Sequence, residues 1–589
     1  MLKVLKSMRW YYWLLIILIG FLTYFQVTLE LELPDQMNKI VREVTNAIIL
    51  DNYTIDRRLI FSVGLVMLGI VLSVITILTI TVFLTARIGA GIASDLRREI
   101  FQKVERFSLE EISHFSTPSL ITRTTNDVMQ IQMVIIMVIR LAFMAPITGI
   151  KAVTKALEQS RELSNVILIA VLFLAISFVT IFMIVTPRFS RIQKLTDQLN
   201  LVTRESLTGI RVVRASNAER IQEEKFNKVN TTFKQNILFV NRVGSLMMPI
   251  QQLTLNGLTL GLVWLGAIIA NQIADVQIRS ERLASILQFQ QYAVNVVFAF
   301  MMMTMLVIFV PRGIVSARRI KEVLETEATV HDPDQPITDL KEPGAIEFRN
   351  VTFQYPDAEK PVIENISFRV NPGETVALIG STGSGKSTII NLIPRFFDAT
   401  EGEVLVNGVN VKDVKQEDLR NTIGYVPQRG VLFRGTIRSN LTYGRKEATD
   451  EEIREALRIA QALEFVNKLP EGIDAPIAQG GTNVSGGQKQ RLNIARAIIK
   501  KPLIYIFDDS FSALDFKTER TLREELAKAT AGATKVIVAQ RVGTIMDADQ
   551  IIVLDKGKIV GIGTHKELMK TCEVYQEIAL SQLAKEELE

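Results

Sequence analysis

Hydrophobic positions along the chain fall into two regimes. Over the first half they crowd into six long runs: Trp10–Leu29, Leu59–Ala86, Val128–Ile150, Leu163–Pro187, Val243–Ala274 and Leu283–Pro311. Five of the runs carry no charge and the third holds only Arg140. About 20 apolar residues cross a hydrocarbon core roughly 30 Å thick. Lipid offers the backbone no hydrogen-bond partner, so each run is expected to be a helix. A buried soluble helix explains one such run, but not six in series. From Ala345 onward the pattern changes to short β-type runs alternating with helical ones, such as Glu347–Phe353, Thr375–Ile379 and then Ser387–Phe397, which predicts an α/β domain.

The connectors between the runs alternate in length. Arg87–Asp127 and Arg188–Arg242 are long, whereas Glu30–Arg58, Lys151–Glu162 and Asp275–Arg282 are shorter. The long connectors and the flanks Met1–Arg9 and Arg312–Lys321 carry 24 Lys and Arg, against 9 on the shorter three. Positive charge marks the cytoplasmic side, which puts both termini and the C-terminal domain there. Within the long connectors, Ala90–Arg106 and Gln193–Phe233 keep apolar residues at helical spacing. The helices are therefore expected to continue beyond the membrane and to turn near Ser113–Thr122 and Ser216–Arg220, where they would meet the C-terminal domain. The organisation read from the pattern is a helical membrane domain over 1–324, a linker over 325–344 containing Pro333, Pro336 and Pro343, and an α/β domain over 345–589.

Composition narrows the classes. A chain of 589 residues is too long for one core. Its charge of +5 is carried by residues flanking apolar runs, without a basic stripe interleaved with aromatics, so a nucleic-acid partner is not expected. The one cysteine, Cys572, excludes an internal disulfide, and His114, His331 and His565 are too far apart in sequence for metal-ligand spacing and are expected on the surface or in loops. The first run has no small-residue cleavage site after it and is taken as a retained anchor. The lack of an organelle-targeting extension fits a bacterial plasma membrane.

Chemistry concentrates after residue 375. Gly380, Ser381, Thr382, Gly383, Ser384, Gly385, Lys386, Ser387 and Thr388 form a P-loop between an apolar strand and a helix. Its glycines let backbone N–H groups wrap phosphates at a helix N-terminus. Lys386 then reaches the β- and γ-phosphates of ATP and Ser387 takes Mg²⁺. Leu503–Asp508 is a second apolar strand ending in a carboxylate, with Asp508 placed to hold Mg²⁺ through water. Val484, Ser485, Gly486, Gly487 and Gln488 precede a basic, helix-compatible stretch. On its own that run reads equally as a helix N-cap.

Together these motifs resemble those of ABC ATPases, with Val484 in place of the usual Leu of the signature. The resemblance extends to the whole plan of six helices followed by an ATP-binding domain, that of ABC exporters. It implies that Tyr355 stacks on adenine, that Gln428 senses Mg²⁺, and that Ser512–Asp515 is the D-loop. It also implies a fold of an α-helical membrane domain plus an α/β P-loop ABC ATPase domain. Two positions depart from the family. Asp509 stands where it has the glutamate that acts as general base, and Gln540 where it has the switch histidine. Asp is shorter by one methylene, and Gln carries no positive charge. Both changes strike hydrolysis, so this chain's own site is expected to bind ATP and turn it over slowly. ABC sites are shared between two ATP-binding domains, so the chain needs a second half-transporter. It resembles the degenerate half of bacterial heterodimeric multidrug exporters, its signature completing a partner's site. Cargo is expected to be hydrophobic or amphipathic, met by Phe298, Phe300 and Met301–Met305. Arg140 lies at membrane depth, and Lys151 and Lys155 are expected to snorkel to the outer surface. A homodimeric lipid or peptide exporter and an ATP-gated channel or sensor are the alternatives.

Overall fold

The structure is a computed structural model that describes residues 9–49, 55–159, 161–273, 276–356 and 358–582. Lys3 and Lys6, Ala274 at the end of the fifth run, and Asp275 in the last connector fall outside the described residues. The chain forms two compact units. One runs up to Glu105 and includes Thr117–Thr326; the other joins Arg106–Ser116 to the chain from Glu327 onward.

The first unit is all helix: α1 (Trp10–Ile49), α2 (Arg57–Val104), then, beyond α3 (Leu109–Phe115) of the other unit, α4 (Thr117–Thr122), α5 (Val128–Gln159), α6 (Arg161–Thr208), α7 (Ile210–Ala215), α8 (Glu219–Ser245), α9 (Met247–Asn271) and α10 (Val276–Glu325). Among the described residues it holds six stretches of helix long and apolar enough to cross a membrane. At 1.5 Å per residue, the 48 residues of α2 and of α6 each extend about 72 Å, more than twice the hydrocarbon thickness. The chain turns at Ser116 and Asn217, both with positive φ (58° and 48°), a conformation Asn adopts more readily than most residues.

Small residues let the helices approach closely. A Cβ on Gly313 of α10 would stand 2.9 Å from Val134 Cγ1 of α5, and one on Gly89 of α2 would stand 2.5 Å from Ile136 Cγ1. The same α5–α10 contact is tied below by a π-turn at Arg123–Asp127. There, buried Asp127 accepts a bond from Ser316 (2.8 Å), and Arg123 donates to the Arg319 carbonyl and to Glu322 (both 2.7 Å).

A polar knot sits among apolar side chains where α1, α5 and α10 meet. Lys155 donates to Asp35 (2.8 Å) and Glu32 (3.3 Å), while Gln288 and the Tyr292 hydroxyl donate to the other oxygen of Asp35. Lys151 bonds to Thr28 and lies 3.7 Å over the Tyr24 ring. Lys151 and Lys155, both half-buried, thus have partners on α1. Arg140 is exposed on α5 and makes no ion pair among the described residues. Of the soft residues on α10, Phe298, Met303 and Met305 are exposed, while Phe300 meets Phe178 edge-on at 6.2 Å.

The second unit begins with α3. Ser108 caps it and Glu111 returns the bond, while Glu111 also accepts from the Thr329 N–H (3.0 Å). Burial alone would raise the Glu111 carboxyl, but the bonds from Ser108 and Thr329 outweigh it and hold the group below the usual glutamate range. The strands follow as β1 (Ile346–Phe353), β2 (Ile363–Val370), β3 (Thr375–Gly380), β4 (Glu401–Val406), β5 (Val409–Asn410), β6 (Ile423–Val426), β7 (Gly435–Thr436), β8 (Pro476–Ile477), β9 (Ile504–Asp508), β10 (Thr534–Val538), β11 (Gln550–Asp555) and β12 (Lys558–Gly563). The helices among them are α11 (Lys386–Leu392), α12 (Gln416–Asn421), α13 (Ile437–Leu441), α14 (Asp450–Ile459), α15 (Leu463–Asn467), α16 (Gly486–Ile499), α17 (Phe516–Ala529), α18 (His565–Thr571) and α19 (Glu573–Gln582).

The main sheet has six strands in the order β12-β11-β3-β10-β9-β6, parallel except for β12. An antiparallel sheet, β2-β1-β4-β5, packs on one face of it through a shared hydrophobic core. Both faces of the main sheet are covered, and β3 shows how. Ala377 and Ile379 enter one core, Val376 and Leu378 the other, because successive side chains of a strand point to opposite faces. His565, expected on the surface or in a loop, is buried at the first position of α18 instead. Its Nδ1 pairs with the Tyr575 hydroxyl at 2.7 Å, which satisfies one of its nitrogens inside the fold.

Candidate functional site

Four parallel strands deliver the candidate residues to one edge of the sheet. The P-loop follows β3, Asp508 ends β9 and Asp509 follows it, Gln540 follows β10, and Gln428 follows β6. In open α/β sheets this carboxyl edge is where ligands bind.

The P-loop is shaped by glycines that other residues do not replace. Gly380 (φ 155°) passes so close to β11 that a Cβ would stand 2.1 Å from the Leu554 carbonyl oxygen. At Gly385 (φ 101°) a Cβ would stand 2.4 Å from Ile363 Cγ2. Gly383 faces open space, and the N–H groups of Gly383 and Gly385 have no carbonyl acceptor among the described residues. Lys386 opens α11 and its ammonium donates to the carbonyls of Gly380 and Ser381, both at 2.8 Å. Burial pulls its pKa down, and the charges of Asp509 and Asp508 oppose that shift. Tyr355 is half-buried, edge-on to Phe353 (4.8 Å) and Phe397 (5.4 Å), with its hydroxyl 3.4 Å from Thr388 of α11.

The two carboxylates behind the loop differ. Asp508 is pushed up to about 6, first by burial and then by the charge of Asp509, against a bond from Ser387 and the charge of Lys386. Asp509 sits at φ 47°, and its Oδ2 accepts two amide N–H groups, from Gln540 at 2.8 Å and Gln428 at 3.3 Å. The two residues that depart from the family pattern are thus bonded to each other.

The signature residues contact none of these groups. Ser485 caps α16 and exchanges bonds with Gln488: its N–H donates to Oε1 at 2.9 Å, and its Oγ accepts from the Gln488 N–H at 3.3 Å. Ser485 and Gly486 are exposed, Val484 packs against the core, and a Cβ on Gly487 would stand 3.2 Å from the Ala513 carbonyl. Asp515 caps α17 by accepting from the Thr518 N–H at 3.0 Å, which keeps its pKa low.

Comparison with known proteins decides the family. Residues 16–296 match the ABC transporter transmembrane region, and residues 363–512 match the ABC transporter family. This chain belongs to the ABC transporter family. The transporter is 40% identical over 562 residues, 94% of each chain, to an uncharacterized ABC transporter ATP-binding protein of Mycobacterium tuberculosis. It is 32% identical to an ATP-dependent lipid A-core flippase of Syntrophus aciditrophicus over 82% of this chain and 79% of that one. Its fold superposes on a bacterial Atm1-family ABC exporter with ATP bound, with TM-score 0.77, 25% identity, and 97% and 98% of the two chains covered. It is a multi-pass membrane protein, an exporter half-transporter with six membrane helices ahead of an ABC ATPase domain. A domain of this family couples ATP hydrolysis to transport.

Three residues of this site escaped the motif reading. Ser510 is fully buried and donates to the Val426 carbonyl (3.0 Å), fastening the β9 edge to β6. Gln490 of α16 donates to the Pro427 carbonyl (3.2 Å), beside Gln428. Gln582 of α19 bonds the backbone at Gln540. None lies at a motif spacing, because each acts through a partner far along the chain.

The electrostatics of Asp508 give a measurable consequence. A folded pKa above the unfolded value means that the folded unit holds a proton the unfolded chain releases. Stability is therefore highest below about pH 4 as far as this group is concerned, and falls as pH rises through about 6. Asp508→Asn removes the buried charge. At pH 7 it is expected to stabilise the nucleotide-free protein by about 1–3 kcal/mol and to flatten that pH dependence, read from thermal unfolding between pH 4 and 8. An unchanged pH profile would show that Asp508 is not the strained group.

Proposed function

We propose that this transporter works as the slow-site half of a heterodimeric exporter in the bacterial plasma membrane, with both termini cytoplasmic. The observation that carries the reading is the shared oxygen of Asp509. A general base needs a free lone pair aimed at the water it deprotonates. Here Oδ2 already accepts from Gln540 and Gln428, on a side chain one methylene too short. ATP lies along the P-loop residues Gly380–Thr388 with adenine at Tyr355, and Mg²⁺, which neutralises charge on the phosphates, is held by Ser387, Gln428 and, through water, Asp508. The loop N–H groups of Gly383 and Gly385 and the bond from exposed Ser387 to buried Asp508 fit that ligand set. The exposed Ser485 and Gly486, at the start of α16, serve the partner's nucleotide, and Asp515 stands in the D-loop.

Cargo is hydrophobic or amphipathic. Likeness to a lipid A-core flippase favours amphipathic lipids as the second reading, carried by a homodimer. The test is ATPase activity of the purified chain, alone and reconstituted with a candidate partner half. Little turnover alone and clear turnover on pairing is expected. Fast turnover alone would make the chain a working homodimer.

A further inference from the structure

The switch position depends on a residue at the far end of the chain. The backbone around Gln540 leaves β10 at Val538, and its polar groups can be followed one by one. The Ala539 N–H donates to the Leu378 carbonyl (3.3 Å), and the Thr544 hydroxyl donates to buried Glu519 (2.7 Å). Between them, the Arg541 and Val542 carbonyls accept from the N–H groups of Thr544 and Ile545, and Arg523 donates to the Gly543 carbonyl (3.3 Å), while the Gln540 carbonyl and the Val542 N–H go to one side chain. Gln582 donates through Nε2 to the Gln540 carbonyl and accepts at Oε1 from the Val542 N–H, both at 2.8 Å. A primary amide that meets a carbonyl on one side and an N–H on the other has only one sensible orientation. It bridges the residues on either side of Arg541 much as a neighbouring strand would.

The sequence builds this clamp through helix periodicity. Tyr575 and Ala579 are fully buried in the core that covers one face of the main sheet, and His565 fixes the Tyr575 hydroxyl. Residues four and seven positions after Tyr575 share its helix face, so anchoring Tyr575 and Ala579 delivers Gln582 to the switch. Gln582 itself is exposed, and it lines a cavity of about 840 Å³ shared with Phe511, Phe516, Arg541 and Thr544. The switch backbone on the Gln540 side of the turn therefore has room to relax when the clamp is lost, while Arg523 holds the far side through the Gly543 and Thr544 carbonyls.

We infer that Gln582 is a positioning residue for the switch: by holding the backbone on both sides of Arg541, it sets where the Gln540 amide meets Asp509. The inference rests on reading Gln540 as the switch residue. It makes the C-terminal helix a working part of the ATP site, although Gln582 touches neither carboxylate and stands 42 residues from Gln540.

The test is amide hydrogen exchange on the purified full-length chain, without nucleotide, for wild type and Gln582→Ala. Alanine keeps the helix end intact, being the best helix former. Exchange in peptides covering 539–544 is expected to rise roughly tenfold on loss of the two bonds. Peptides covering 508–511 are expected to follow, and those of α18 and the first turns of α19 to stay as they were. Unchanged exchange at 539–544 overturns the inference. So does an equal rise across α18 and α19, which would mean that the helix has merely undocked. Gln582→Glu keeps an acceptor for Val542 but offers no donor to the Gln540 carbonyl, and is expected to fall between the two. Protection equal to wild type in that variant would defeat the two-point clamp. A kinetic arm on the chain paired with a partner whose own ATP site has been inactivated, so that only this chain's site turns over, adds a second readout. Gln582→Ala is expected to lower kcat at unchanged KM for ATP and to have no further effect once Gln540→Ala is present. An equal effect in both backgrounds would assign Gln582 a general structural role. Fast turnover by the wild-type chain would sink the slow-site reading while leaving this result standing, so the two failures are distinguishable.

Discussion

Restoring glutamate at 509 and histidine at 540 together should raise ATP turnover at this chain's own site by roughly 100-fold, the lower end of what a positioned general base contributes. The two substitutions act on one hydrogen-bonded unit. Asp509→Glu lengthens the carboxylate by one methylene, about 1.5 Å, carrying it past the oxygen position that Gln540 and Gln428 now occupy with their amides. Gln540→His removes one of those amides and supplies a side chain able to carry charge. Either change alone leaves part of the old arrangement in place, so the pair should exceed the product of the singles. The left-handed backbone at 509 (φ 47°) suits Asp better than Glu, so a small loss of stability is expected beside the gain in rate. Single-turnover hydrolysis by the reconstituted transporter, alone and with its partner half, measures the effect. ATP binding intact but turnover within twofold of wild type would remove the basis for calling the site slow.

In the membrane unit, Asp35→Ala should cost about 2 kcal/mol. The aspartate gathers three donors, Lys155, Gln288 and Tyr292, and its loss strands the ammonium on Glu32 alone at 3.3 Å. Stranded donors in a poorly hydrated site are worth more than the mean value of a hydrogen bond. The partial exposure of Lys155 (35%) keeps the figure below that of a fully buried pair. Asp35→Ala combined with Lys155→Met should recover part of the loss, because an apolar pair no longer buries an unpaired charge. Thermal unfolding in detergent reads both variants. A single variant as stable as wild type, or a double variant no better than the single, would show that the knot does not hold these three helices together.

Much of this transporter was legible before any coordinates. The six apolar runs, the P-loop, the carboxylate-ended strand and the signature are local patterns: a helix period, a strand length, a glycine spacing. Such patterns act over a few residues, and the chain must satisfy them wherever it folds. The departures at 509 and 540 were legible for the same reason, since each is defined by its offset from a motif. Boundaries were less so. The apolar run from Trp10 to Leu29 becomes a helix that continues to Ile49 through Pro34, because neighbouring helices tolerate a proline that an isolated peptide would not.

Tertiary structure alone decided which of these residues meet. Gln428 and Gln540 lie 81 and 31 residues from Asp509, and only the strand order β10-β9-β6 brings both amides to one oxygen. Lys155 finds Asp35 across 120 residues, and Gln582 finds Gln540 across 42. No periodicity in the chain encodes those pairs. They follow from which faces pack against each other, and packing is settled only when all the apolar surfaces compete for burial at once.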